Sequence, residues 1–293
     1  ILRAGETIKT LECSETNGAE LANLMVGREL VPSKYNKVTK EDEEIIVLSH
    51  ISYKKERKHN GLNDVTIQVR KGEILGIAGV DGNGQSQLAQ IATGVLEPDE
   101  GEVILNGTKV SKFTPKKFID SNVSHIPEDR NKMGLVGNMT VAENLVLKMT
   151  TSPKFSIGKG LFLNHKRINK YAEEMREVSD IRCSSVKQDS RSLSGGNQQK
   201  IILARELNNE PELLVAVHPT RGLDIGATSY VHDSMIAARD NGCGIMLISA
   251  DFDEILKMSD RIVVMFEGQV MGVYSGENPP IDKISIAMAG KEE

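Results

Sequence analysis

Gly79-Val80-Asp81-Gly82-Asn83-Gly84-Gln85-Ser86 follows a buried-looking apolar run and opens the apolar helical segment Ser86 to Thr93. Glycines at this spacing let successive backbone N–H groups curl around a phosphate, and the start of the helix adds the positive end of its dipole. The run satisfies G-x-x-x-x-G-K-[ST] at every fixed position except one, because Gln85 stands where a lysine would hold the outer phosphates. A glycine-rich turn between a strand and a helix is also a common structural device, so the loop alone marks an anion cradle and no more.

A second run, Leu193-Ser194-Gly195-Gly196-Asn197-Gln198-Gln199-Lys200, precedes the helical segment Ile201 to Leu207. A serine hydroxyl and free backbone N–H groups at a helix start form another anion site. The plainer reading is an ordinary serine N-cap. The run lies between the glycine loop and the apolar strand Leu213 to Val217. In that order it is similar to the signature of the ATP-binding-cassette ATPases.

The resemblance covers nearly the whole chain from Ile45 to Gly290 and implies a set of site residues. Gly79, Gly82, Asn83, Gly84, Gln85, Ser86 and Gln87 fall at nucleotide-binding positions, with Ser86 also the candidate Mg²⁺ ligand. Tyr53 is the candidate for the aromatic side chain that stacks on adenine, next to an inserted stretch, Lys54 to Asn60. Pro127-Glu128-Asp129-Arg130 resembles the Q-loop of the second cassette in tandem sugar and nucleoside importers, Glu128 taking the glutamine's place. Arg130 is read either as part of that motif or as a solvated surface residue. Pro219-Thr220-Arg221-Gly222-Leu223-Asp224 looks like the segment that runs into the D-loop, Asp224 being its aspartate. In this family two cassettes sandwich ATP head to tail, so Leu193, Ser194, Gly195, Gly196, Asn197 and Gln198 would act in trans on a partner's nucleotide. The implied cofactors are ATP and Mg²⁺.

The chain departs from the family at four positions. The strand that should end in Asp-Glu ends in Val217-His218, Ala250 in Ile248-Ser249-Ala250-Asp251 replaces the switch histidine, and Gln85 replaces the lysine. Together these lose the Mg²⁺-positioning carboxylate, the water-orienting carboxylate and two phosphate contacts on which phosphoryl transfer depends. His218 could accept a proton but brings no fixed negative charge, and a polar residue closing a buried strand is an equally good reading. The expectation is that no catalytic set is intact at this chain's own site, that the cradle holds a nucleotide weakly, and that the signature completes the site of another cassette.

The elements that must position these residues follow from hydrophobic period. Ile45 to Ser49 is β-branched, Val65, Ile67 and Val69 alternate with polar residues, Lys71-Gly72 turns the chain into Glu73 to Ala78, and Glu102 to Leu105 with Gly107 suggests a hairpin. Helical spacing dominates from Thr140 to Leu207, notably in Val141 to Met149 and His165 to Val178, where Tyr171, Met175 and Val178 share a face. Strands return at Leu213 to Val217, Gly244 to Ser249 and Ile262 to Met265. The alternation implies a largely parallel sheet. With the resemblance, the expected fold is α/β, a RecA-like P-loop NTPase core with an antiparallel β-subdomain and a helical signature subdomain.

Ile1 to Gly27 aligns without a gap on Val264 to Gly290. Gly5 meets Gly268, Ile8 meets Met271, Leu21 meets Ile284, Met25 meets Met288 and Gly27 meets Gly290, so each copy reads as strand, glycine turn, strand and short helix. The plain reading is two similar units in one domain. The reading preferred here makes 1–44 the tail of a preceding cassette plus a charged linker from Lys37 to Glu44, and 45–293 a second cassette. Its core would comprise about 45–134 and 210–293, its helical lobe about 135–209. The initial Ile1 then marks a cut through a longer protein.

Composition narrows the partners. Of 293 residues, 36 are Lys or Arg and 41 Asp or Glu, a net charge of −5, which disfavours a nucleic-acid binder. Cys13, Cys183 and Cys243 fit neither a disulfide framework nor a zinc pattern, and suit a reducing cytoplasm. Leu213 to Val217 and Ile262 to Phe266 fall far short of the roughly 18 residues of a spanning helix, and Ile1 to Thr10 holds no signal-peptide core. The implied partners are the first cassette, a transmembrane permease at the cytoplasmic face of the membrane and, through it, an extracellular substrate-binding lipoprotein. Two competing readings are a regulatory domain that senses a nucleotide or metabolite without hydrolysis, and a soluble tandem-cassette protein acting on ribosomes or DNA.

Overall fold

The computed structural model describes residues 1–3, 6–12, 14, 16, 20–21, 24, 43–54, 61–158 and 160–291. Gly5, Cys13, Met25, Gly27, most of the Lys37 to Glu44 linker and residues 55–60 of the inserted stretch lie outside them.

The first elements are β1 (Leu2–Arg3) and β2 (Glu6–Thr7), paired antiparallel with Leu2 opposite Thr7 and Arg3 opposite Glu6. They are followed by β3 (Glu44–Tyr53) and β4 (Leu62–Arg70), then β5 (Ile74–Ala78), which runs into α1 (Gln85–Ala92). Next come β6 (Glu100–Leu105), β7 (Thr108–Lys109), α2 (Pro115–Asp120) and β8 (Val123–Ile126). The helical lobe holds α3 (Val141–Leu145), the short hairpin β9 (Ser156–Ile157) and β10 (Phe162–Leu163), α4 (His165–Val178) and α5 (Gly195–Leu207). The chain closes with β11 (Leu213–Val217), α6 (Ile225–Asp240), β12 (Gly244–Ile248), α7 (Phe252–Met258), β13 (Arg261–Phe266), β14 (Gln269–Ser275) and α8 (Ile281–Met288).

Among the described residues a six-stranded sheet has the order β14-β13-β5-β12-β11-β8, all neighbours parallel except the β13–β14 hairpin. A separate antiparallel sheet has the order β4-β3-β6-β7. The parallel strands are apolar on both faces, as a covered parallel sheet requires. Ile74, Leu214, Ala216, Ile245 and Leu247 face a core shared with the helical lobe, while Leu75, Ile77, Leu213, Val215, Val217, Met246 and Ile248 face a core shared with α1 and the antiparallel sheet. The sheet thereby holds the ends of β5, β11 and β12, where the chemistry-bearing loops begin, between two packed layers.

Three local expectations need correction. Val141 to Met149 is not one helix, since α3 ends at Leu145 and a 3-10 turn covers Leu147–Met149. The helical stretch is also interrupted by the β9–β10 hairpin. Val178 does not share the buried face of α4: Tyr171 is 6% exposed and Met175 packs partly buried on the same core, but Val178 at the helix end is 80% exposed.

The repeat has a structural counterpart in strand register. Met265 pairs with Val270 and Phe266 with Gln269. These are the pairs that Leu2–Thr7 and Arg3–Glu6 become under the sequence alignment. Glu20, Leu21 and Leu24 are helical, as are Lys283, Ile284 and Ala287, which align with them in α8.

Candidate functional site

The glycine loop leaves β5 at Ala78 and turns into α1. Gly82 and Gly84 have φ of 94° and 99°, a region open at little cost only to glycine. A Cβ on Gly79 would lie 2.6 Å from the Met265 carbonyl oxygen and 2.6 Å from Gln85 Nε2. Asn83 ties the loop to the β13–β14 turn, its Oδ1 accepting from Glu267 N–H at 2.9 Å and its carbonyl from Gly268 N–H at 3.1 Å. Gln85 folds back on the loop, its Nε2 donating to the Val80 carbonyl at 3.1 Å. It is 6% exposed, Gln87 is also buried, and Ser86 is exposed at the first turn of α1. Gln85 thus gives the loop a neutral donor where the resemblance expected a cation. Tyr53 ends β3 opposite Leu62 and packs half-buried against the core beneath the antiparallel sheet.

The end of β11 carries the other altered positions. Val217 is 3% exposed within the apolar core and offers no ligand atom. His218, with φ 46°, donates its N–H to the Ile248 carbonyl at 2.7 Å and accepts at Nδ1 from Ala250 N–H at 3.1 Å. An accepting Nδ1 leaves the ring proton on Nε2, which lies 3.8 Å from Asp81 Oδ1 in the glycine loop. Gln85, His218 and Ala250 therefore bond to the chain's own backbone or to each other. Among the described residues no group of three His, Cys, Asp or Glu could hold a metal ion. Ser86 offers one exposed hydroxyl as a ligand for a nucleotide-bound Mg²⁺, and Val217 offers no ligand atom.

The signature is built differently. Ser194 caps α5, its Oγ accepting from Asn197 Nδ2 at 3.0 Å and, more loosely, from Asn197 N–H at 3.5 Å. Asn197 Oδ1 accepts from Arg182 N–H at 2.8 Å, which joins the cap to the loop before it. Ser194 is exposed, Gly195 and Gly196 are half-buried, and Leu193 packs onto the core. Gln198 turns inward and donates to the Ser190 carbonyl at 3.2 Å, and Gln199 donates to the Pro219 carbonyl at 2.8 Å. The face offered outward is thus the serine and the glycine backbone. Asp224 caps α6, accepting from Ala227 N–H at 2.8 Å.

Arg130 is half-buried and tied to neighbouring loops. Its Nη1 donates to the Arg221 carbonyl at 2.7 Å, its Nε is buried, and its Nη2 would lie 2.8 Å from a Cβ on Gly195. Glu128 is exposed and pairs with Arg221 Nη1 at 3.2 Å. The Q-loop run, the D-loop run and the signature therefore meet around two arginines. Thr220 of the same run donates to Glu254 Oε1 at 2.9 Å, beside His232 Nε2 at 2.7 Å. Burial pushes the Glu254 carboxyl up, but its bonds to His232 and its other neighbours hold it below the usual range.

The sequence reading missed a second anchor. Glu206, fully buried on α5, accepts from His125 N–H at 3.1 Å and Arg205 Nε at 2.9 Å and pairs with Lys148. Ser124 Oγ donates to the Glu206 carbonyl at 2.7 Å, and Arg205 Nη2 to the Gly134 carbonyl at 2.8 Å. The segments on either side of Pro127 to Arg130 are thus fastened to α5. The available signal was the Arg205-Glu206 pair inside an otherwise apolar helical run. Burial raises the Glu206 carboxyl, and Lys148 and Arg205 more than reverse this.

The chain is similar to known proteins along most of its length. Residues 62–221, more than half of the chain, match the ABC transporter family. The Nucleoside import ATP-binding protein NupA of Lactococcus lactis subsp. cremoris (strain MG1363) is 39% identical over 99% of this chain and 57% of its own length. The Guanosine import ATP-binding protein NupO of Bacillus subtilis (strain 168) is 39% identical over 100% and 57%. The chain thus spans a little over half the length of these relatives. Among solved structures, the ATP-binding cassette MJ1267 of an ABC transporter superposes with a TM-score of 0.70 at 23% identity, covering 85% of this chain and 98% of that one. The dimeric cassette MJ0796 bound to ADP and Pi gives 0.64 at 21%, covering 78% and 98%. These two likenesses bear on the fold, a RecA-like P-loop core with a helical lobe, and with the sequence match they establish that the chain belongs to the ABC transporter family as an ATPase cassette.

Proposed function

We propose that this chain carries the second nucleotide-binding domain of the ATP-binding subunit of an importer for nucleosides or sugars, preceded in 1–44 by the end of a first cassette. Its own nucleotide site is degenerate, and its signature completes the ATPase site of that first cassette. The observation that carries the reading is the contrast between the two halves of the site. Gln85, His218 and Ala250 are engaged with their own chain and Val217 is buried, while Ser194 stands exposed at the head of α5 beside the Gly195-Gly196 backbone. Free N–H groups at a helix start, joined by a hydroxyl, stabilise the phosphate oxygens of a nucleotide presented from a facing surface.

The importer assignment draws on relatives named for nucleoside and guanosine import. The tandem reading draws on the shared hairpin register and on the chain's spanning little more than half of those relatives. No helix among the described residues is long and apolar enough to cross a membrane, so a permease would supply the passage and this subunit would act from the cytoplasmic face. An extracellular binding lipoprotein would deliver the solute.

The test is Ser194→Ala in the full-length subunit assembled with its permease. Loss of an oxyanion-type donor lowers transport-coupled ATPase turnover by about 10²–10³-fold, whereas Gln85→Ala changes it little. Unchanged turnover in Ser194→Ala, or a collapse in Gln85→Ala, would reverse the assignment of the working half.

A further inference from the structure

The β9–β10 hairpin has no part in the nucleotide site, yet it exposes the densest apolar surface of the helical lobe. Ile157 is 58% exposed, Leu161 78% and Phe162 71%. Ile157 and Phe162 are cross-strand partners and so share one face, with Leu161 at the turn between them. The hairpin's own stability does not need these side chains. Its two-residue strands are anchored next to Phe155, 1% exposed and tilted against the Tyr171 ring at 4.9 Å between centroids, and by Asn164 N–H donating to the Phe155 carbonyl at 2.8 Å.

Charge is as one-sided as hydrophobicity. No aspartate or glutamate occurs from Thr150 to Tyr171, in a chain of net charge −5. Lys154, Lys166, Arg167 and Lys170 are all exposed there. Among the described residues none of the four is paired with a carboxylate: Lys154 lies over the Tyr171 ring at 4.7 Å and Arg167 donates to the Pro153 carbonyl at 3.4 Å. A protruding apolar tip with a basic base answers to an anionic bilayer surface, where apolar side chains enter the headgroup boundary and lysine and arginine meet phosphates. An apolar tip or a basic patch alone gives weak attachment; the two together give a stable one.

We infer that the β9–β10 hairpin is a second membrane contact of this cassette, placing Ile157, Leu161 and Phe162 in the interface of an anionic lipid leaflet with Lys166, Arg167 and Lys170 at its headgroups. The contact uses no residue of the nucleotide site, and its test needs neither nucleotide nor permease.

The chain is floated with vesicles of phosphatidylcholine alone and with phosphatidylglycerol added, at low and high salt. Binding is expected only to the phosphatidylglycerol vesicles and to weaken with salt. Leu161→Ser with Phe162→Ser should abolish it. Lys166→Gln with Arg167→Gln should weaken it about thirtyfold, and both doubles should melt with the parent because the altered side chains are exposed. Absence of binding to phosphatidylglycerol, or binding that survives both double variants, overturns the inference. So does a hairpin that leaves vesicles alone but crosslinks to an acidic segment of the assembled permease, which would make the partner a protein.

Discussion

The imidazole of His218 accepts a hydrogen bond from the backbone N–H of Ala250 at 3.1 Å. The end of β11 and the loop after β12, the two places where the family resemblance sets groups that act on the γ-phosphate, are here bonded to one another. His218 also holds a left-handed backbone, φ 46°, where a residue with a Cβ is costly. His218→Ala keeps that cost and loses the bond, so urea unfolding should show a loss of about 1–2 kcal/mol. His218→Asn, with a short side chain that tolerates this conformation, should recover part of it. Equal stability of the parent and the alanine variant would mean that the bond contributes nothing.

Arg130 and Gly195 provide a second test. A Cβ on Gly195 would lie 2.8 Å from Arg130 Nη2, and the guanidinium it would displace is the donor to the Arg221 carbonyl. The atom met is the end of a flexible side chain, so Gly195→Ala should cost no more than about 1 kcal/mol in the parent, the worth of the hydrogen bond it disturbs, and nothing in an Arg130→Ala background. A double-mutant cycle by denaturant unfolding measures the difference. Strict additivity would show that the two residues do not press on one another.

The legible parts were those with a strong local signal. The glycine loop, the apolar strands β5, β11, β12 and β13, and the helix from His165 to Val178 follow from hydrophobic period and from turn residues. β8 escaped because Ser124 and His125 interrupt its apolar pattern, and both are there to bond Glu206 of α5. The β9–β10 hairpin escaped because its apolar residues point outward, against the usual rule. At the site, the sequence could flag Gln85, Val217, His218 and Ala250 as substitutions. It could not tell that His218 and Ala250 bond to each other, since they lie on adjacent strand ends far apart in the chain. The anchoring role of Arg130 depends in the same way on three loops that meet only in the fold.

His125 makes stability depend on pH. Burial, helped by Lys148 and Arg205 and opposed by Glu206, lowers its pKa from 6.5 to about 4. Between those values the unfolded chain takes up a proton that the folded chain refuses, so stability is full above about pH 6.5 and falls as pH drops toward 4. The loss attributable to this one group is at most about 3 kcal/mol. His125→Gln should flatten that part of the profile while leaving the acid limb below pH 4, and chemical denaturation at a series of pH values checks it. A profile unchanged by the substitution would place the titrating group elsewhere.

Gln85→Lys separates binding from catalysis at the chain's own site. The present amide donates to the Val80 carbonyl at 3.1 Å and carries no charge. A lysine there restores a cation at the head of α1, and a charge-assisted bond to phosphate is roughly twice as strong as a neutral one. Calorimetric titration should show ATP binding tightened by about tenfold, a difference of about 1.4 kcal/mol. Turnover should stay at the basal level, because Val217 remains buried and without a ligand atom, His218 remains bonded to Ala250, and no carboxylate stands where water must be oriented. A variant that hydrolysed ATP at a rate typical of a working cassette would show that the lysine alone was missing, and that Val217, His218 and Ala250 do not disable the site.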